Sequence, residues 1–260
     1  MFKTLLPLNL IISLRFLGLF IVLPVLSVYA LHLEGSSELL VGITIGGYAA
    51  TQMLLQIPFG IMSDKFGRKI TIFIGLVIFF VGSLICGFAD NIYTLMIGRF
   101  LQGAAAIGAV GTAMISDMVK EESRGHAMAM MGGVIAASFA ISMMAGSLIG
   151  GYFGVDKLFF ITAALSLFSM ILLYTKVPNP PKIVHHYGAD ENDLRDILKD
   201  ASLMKMNITN MLQKGMMTLA FMVIPIMMLQ QFGYAKKDLW MVYLPAMVCG
   251  VLAMGPSAIM

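Results

Sequence analysis

Ten residues, Gly60 to Lys69 (G-I-M-S-D-K-F-G-R-K), hold the densest chemistry in this chain: the Asp64 carboxylate, the cations Lys65, Arg68 and Lys69, and glycines at 60 and 67. A second group, Arg99 with Gln102 and Gly103, lies inside an otherwise uncharged segment. The guanidinium stays protonated at any working pH, so Arg99 can tune a proton carrier but not be one. Tyr48, Gln52 and Gln56 recur every fourth residue and share one helix face, which fits either a cavity lining or bonds to neighbouring helices. No nucleophile and base pair and no metal-ligand cluster stands at catalytic spacing, so neither an enzyme nor a metal site is expected. Cys86 and Cys249 lie in apolar runs and read as small packing residues, and the 24 methionines are scattered gap-fillers.

The elements that position these residues are set by composition. The chain is 59% hydrophobic and 12% charged with a mean hydropathy of +0.89, against a charge content of about 25% in soluble domains. A net charge of +3 is too small to indicate nucleic acid. Dividing the chain at its charges predicts eight membrane-spanning helices at roughly 8–31, 39–62, 70–89, 92–116, 127–153, 158–175, 207–231 and 239–260, each long enough for about 30 Å of hydrocarbon. The fold class is therefore an all-α membrane bundle.

With the N-terminus cytoplasmic, that side receives Lys3, Arg15, Lys65, Arg68, Lys69, Lys120, Arg124, Lys176, Lys182, Arg195, Lys199 and Lys205, whereas Lys157, Lys236 and Lys237 fall outside. This positive-inside bias predicts a multi-pass membrane protein with the N-terminus, the Gly60–Lys69 turn and the connection after the sixth span cytoplasmic. The polar stretch 177–206 opens with Pro178, Pro180 and Pro181, which end the sixth span. Leu194, Ile197, Leu198 and Ala201 recur at helical spacing and fit a short amphipathic surface helix or a solvated linker. Three units follow: a six-helix bundle over 1–176, a cytoplasmic linker over 177–206, and two further helices over 207–260.

Small residues at four-residue spacing let helices pack closely in lipid. Gly42, Gly46 and Ala50 form one such stripe, and Ser142, Gly146, Gly150 and Gly154 another, with Gly151 beside it; Gly103 to Gly111 is nearly smooth. Arg99 lies about 12 Å into its span, where an unpaired charge costs about 3 kcal/mol or more, so it either snorkels outward or faces a central cavity with Gln102. Arg15 is expected to snorkel to the cytoplasmic surface.

The turn at Gly60–Lys69 resembles the signature of the major facilitator superfamily between helices two and three. Leu95 to Ile107 (L-M-I-G-R-F-L-Q-G-A-A-A-I) resembles the family's helix-four motif, with Arg99, Gln102 and Gly103 on its key positions. Leu17 to Ser27 and Gly146 to Gly151 resemble the helix-one and helix-five patterns of the drug:proton antiporters, but Ser27 and Ser147 replace expected prolines. The resemblance implies two six-helix halves, of which this chain covers the first and the beginning of the second: about eight of an expected twelve helices. A carboxylate is poorly placed at the C-terminal end of its own helix. The resemblance implies that Asp64 meets a helix of the second half and locks the cytoplasmic side shut, with Arg68 pairing with Asp117. The simpler reading of Lys65, Arg68 and Lys69 is that they set topology alone.

The resemblance further implies a plasma-membrane protein, in the inner membrane of a bacterium, that exports small amphiphilic compounds by alternating access, with protons as coupling ion, no cofactor, lipids as surroundings and a monomer when complete. The alternatives are a metabolite symporter and a non-transporting sensor or partner-binding protein. No Asp or Glu lies deep in a span; His32, Glu34 and His126 all sit near span ends. A proton carrier is therefore not identified by sequence.

Overall fold

The computed structural model describes residues 2–178, 199–246 and 249. Nine α-helices lie wholly within the described residues: α1 (Phe2–Phe20), α2 (Leu23–Leu31), α3 (Glu38–Phe66), α4 (Arg68–Gly87), α5 (Ile92–Ala104), α6 (Gly108–Asp117), α7 (Arg124–Phe153), α8 (Val155–Lys176) and α9 (Ala201–Gln230). Taken with their breaks, seven stretches are long and apolar enough to cross a membrane, including Leu5–Leu31 from α1 and α2 and Ile92–Asp117 from α5 and α6. They match the first seven predicted spans. The eighth begins at Leu239, and most of it lies outside the described residues, as does the predicted amphipathic helix around Leu194–Leu198.

Two spans expected to be continuous are broken. The first is interrupted at Ile21 and Val22, just ahead of Pro24, which lacks an N–H and opens α2. Carbonyls of the turn before the break find other donors: Ser142 Oγ bonds Leu17 O at 3.0 Å and Thr162 Oγ1 bonds Gly18 O at 2.9 Å. A side chain at Gly146 would strike the carbonyl of Ile21, so the small stripe on α7 is the seat for this bend. Gly150 continues the seat against Val25, and Gly151 lies against the backbone of Lys237. In the other broken span, α5 stops at Ala104 and α6 restarts at Gly108 without any proline.

The buried apolar residues form two large clusters with a smaller one between them. Ile21, Val25, Leu26, Ile92, Leu95 and Phe159 belong to the first, and Leu5, Leu8, Ile72, Leu76, Val110 and Met114 to the second. Leu19, Tyr48, Phe79 and Ala105 form the waist. Helices α4 and α5 cross with reciprocal backbone contact, where a Cβ on Gly82 would come within 2.9 Å of Gly98 O and one on Gly98 within 2.9 Å of Gly82 O. On α3 the packing glycine is Gly47, whose missing side chain makes room for Phe100; Gly46 and Ala50, expected to pack, are exposed. The long helix α9 packs on α2 and α3 and is largely exposed otherwise.

Candidate functional site: a basic turn, a buried arginine layer and a cavity

Ser63, Asp64 and Lys65 close α3, and Arg68 opens α4, so a single residue joins two helices. That residue, Gly67, has φ +99°, a conformation open to glycine and strained for side chains with a Cβ. The reversal folds Arg68 back over the end of α3. Its Nη1 donates to Asp64 Oδ1 at 2.6 Å and to Ser63 Oγ at 2.7 Å, while its Nε donates to Asp117 Oδ2 at the end of α6 at 2.9 Å. The Arg68 and Asp117 side chains are 13% and 12% exposed, whereas Asp64 is 61% exposed. Lys69 donates to Val177 O at 2.8 Å and lies over the Tyr174 ring, tying α4 to the end of α8. Lys65 is exposed, and a Cβ on Gly60 would meet nothing within 4 Å among the described residues.

Arg99 does not snorkel: it is 1% exposed. Its Nη1 donates to Gln102 Oε1 at 2.8 Å, Gln102 Nε2 donates to Ser83 Oγ at 2.8 Å, and Ser83 donates in turn to Phe79 O at 2.6 Å. The guanidinium stands 4.8 Å from the Tyr48 ring centroid, an arrangement favourable to a desolvated cation. Gly103 lies so close to α3 that a Cβ would strike the Tyr48 carbonyl and the Thr51 hydroxyl. Gly103, Arg99 and Gln102 thus bind α5 to α3 and α4. The sequence does not single out Ser83, although it is the polar residue of the outer half of α4.

Arg15 corrects a second expectation. It is 1% exposed, with Nη2 donating to Ala105 O at 2.8 Å and the guanidinium 5.2 Å and 5.7 Å from the Phe16 and Phe79 ring centroids. Because α1 begins at Phe2 rather than near residue 8, Arg15 lies roughly 20 Å along its helix, too deep for the nearer surface. The cost logic applied to Arg99 would have flagged it.

A cavity of about 850 Å3 opens between α1, α3, α6 and α7. Ile12, Phe16, Met128, Met131 and Ile135 give it apolar walls, Gly108, Ala109 and Ala113 a smooth one, and Gln52, Gln56, Thr112, Ser116 and Arg124 its polar groups. Gln52 and Gln56 therefore line it. Tyr48, Arg99 and Gln102 do not; they lie in the buried layer. Ser116 joins the cavity wall to Asp117 and hence to the Arg68 fork. Among the described residues no group of three or more His, Cys, Asp or Glu could hold a metal ion.

These features define a polytopic helical membrane protein with a membrane-embedded cavity and a charged turn at its basic end. The sequence profile of the Major Facilitator Superfamily matches residues 8–260, and the chain belongs to that family, whose members are transporters rather than enzymes. It is 38% identical over 240 residues to the inner membrane transport protein YajR of Escherichia coli, covering 92% of this chain and 53% of that protein. It is 32% identical over 164 residues to multidrug resistance protein 2 of Bacillus subtilis, covering 62% of this chain and 40% of that one. The chain thus spans about half the length of such relatives. Its fold matches the crystal structure of a bacterial homologue of the human lysosomal transporter Spinster, inward-facing and occupied, with a TM-score of 0.72 and 17% identity over 90% of this chain and 55% of that one.

Proposed function

We propose that this protein exports small amphiphilic compounds across the inner membrane by alternating access, driven by proton antiport. The cavity carries this reading: its volume suits an organic molecule, two methionines and Phe16 give it adaptable apolar walls, and four neutral polar groups with one cation, Arg124, supply orientation without demanding one substrate. The similarity to a protein named for multidrug resistance supports export. The similarity to YajR supports the inner membrane.

In this reading residues 1–176 form one six-helix half, 177–206 a cytoplasmic linker, and 207–260 the start of the other half, the whole acting as a monomer. Asp64, held by Arg68 and largely exposed, is the cytoplasmic latch; it engages a helix end contributed by the additional length that the relatives carry. Gly60 leaves room for that approach. Arg99 and Gln102 set the field in which a proton carrier works.

The test is flux in inside-out vesicles containing the protein expressed from its full reading frame. Export predicts uptake of an amphiphilic dye into the vesicle lumen, with substrate-dependent proton release from it. Proton co-movement in the same direction as substrate would establish symport instead, and absence of flux across a broad panel would remove the transport reading.

A further inference from the structure

The break between α5 and α6 falls in G-A-A-A-I-G, residues 103–108. Nothing local demands it: alanine is the strongest helix former, and no proline is present. Yet Ala105 adopts φ −73° and ψ 60°, an inverse γ-turn, and the i→i−4 ladder gives way to short bonds from Ala106 N to Ala104 O and from Ile107 N to Ala105 O, both 2.8 Å. All three residues of the break are buried. Freed carbonyls in an apolar interior are costly unless they find donors. Among the described residues, Arg15 is the side chain that donates to a carbonyl of this break.

A cation at the C-terminal end of α5 is also well placed against the helix dipole. The two flanking helices are held differently. Helix α5 is fixed by the glycine crossing with α4 and by Arg99, Gln102 and Ser83. Helix α6 is about 15 Å long; Arg15 binds the break that precedes it, at Ala105 O, and Arg68 binds its last residue, Asp117. Its Gly108, Ala109, Thr112, Ala113 and Ser116 form a wall of the cavity.

We propose that this break is a hinge latched by Arg15: α6 alternates between the bent position of this structure and one continuous with α5, and carries the cavity wall with it. Arg15 is then a positioning residue, and its Nε and Nη1, which lack hydrogen-bond partners here, are free to take up another carbonyl when Ala105 O returns to the helical ladder. The role served by the hinge rests on the transport reading above; the two positions of α6 do not.

The experiment places spin labels at exposed Tyr93 and Lys120, the two ends of this span, in the full-length protein in nanodiscs, and measures their distance distribution by pulsed EPR. Two distances are expected in the wild type, with Arg15→Met moving the population to the longer one. Ala106→Gly supplies a second route that leaves Arg15 in place: residue 106 is non-helical in the bent form and helical in the continuous one, so the lower helix propensity of glycine favours the bent form, and the shorter distance, by about two- to fivefold. A single distance unchanged in both variants, with Ala106→Gly eluting as folded protein, overturns the hinge. Two distances in a protein without flux would retract the transport reading and leave the hinge standing, whereas flux with one invariant distance would do the reverse.

Discussion

Replacing Asp117 with Asn removes the less exposed arm of the Arg68 fork, and the geometry sets how much that matters. The bond is a charge-assisted contact of 2.9 Å between side chains 12–13% exposed. Loss of a hydrogen bond to a charged group costs about 1.5–3 kcal/mol. Arg68 keeps Asp64 and Ser63 as acceptors, so the lower figure applies, about tenfold in an equilibrium between closed and open forms. The Asp64 arm is 61% exposed; as a surface ion pair it is worth at most about 1 kcal/mol, or about fivefold. A cysteine at Thr112, in the cavity wall, reports on both. Its labelling by a membrane-impermeant maleimide from the cytoplasmic side should accelerate about tenfold in full-length Asp117→Asn. Asp64→Asn should exceed its fivefold surface limit, because a latch loses its contact with the opposing half as well as Arg68. Labelling at the wild-type rate in both variants, with unchanged thermal unfolding, would refute the latch.

Three other outcomes are expected. Gln102→Leu strands the Arg99 guanidinium and should lower stability by about 3 kcal/mol, against about 1 kcal/mol for Ser83→Ala; thermal unfolding in detergent ranks them, and a reversed order would remove Gln102 as Arg99's main partner. Gly103→Val should cost about 1–3 kcal/mol or more by collision with α3, while Gly60→Ala leaves the same unfolding transition unmoved. Cysteines at Gln52 and Thr112 should be labelled from the cytoplasmic side and protected by a transported dye; a cysteine at Ser83, which is fully buried, should stay unlabelled.

The spans were legible because hydrocarbon requires an uninterrupted apolar length, and charges mark where that length ends. The Gly67 reversal was legible for a similar reason, since a one-residue junction between two helices leaves few alternatives to glycine. The break after Ala104 was not: three alanines in sequence say helix, and the compensating donor is on α1, 90 residues away in sequence. The bend before Pro24 was half visible, because the proline is plain but Ser142 and Thr162 look like ordinary span residues. Arg15 was misplaced through an error in where its helix begins. Gln52 and Gln56 were placed on one face with Tyr48 correctly, yet which of the three borders open space depends on helices from distant parts of the chain.

The cations of the α3–α4 junction act at two moments in the life of the molecule. During biosynthesis, before any tertiary contact exists, Lys65, Arg68 and Lys69 help retain this segment on the inner side of the bilayer. Only afterwards does Arg68 acquire its acceptors on α3 and α6. On the latch reading, neutralising these residues therefore confounds two phenotypes, inverted insertion and a faulty gate, whereas changing Asp64 or Asp117, the carboxylates that Arg68 binds, perturbs the second alone.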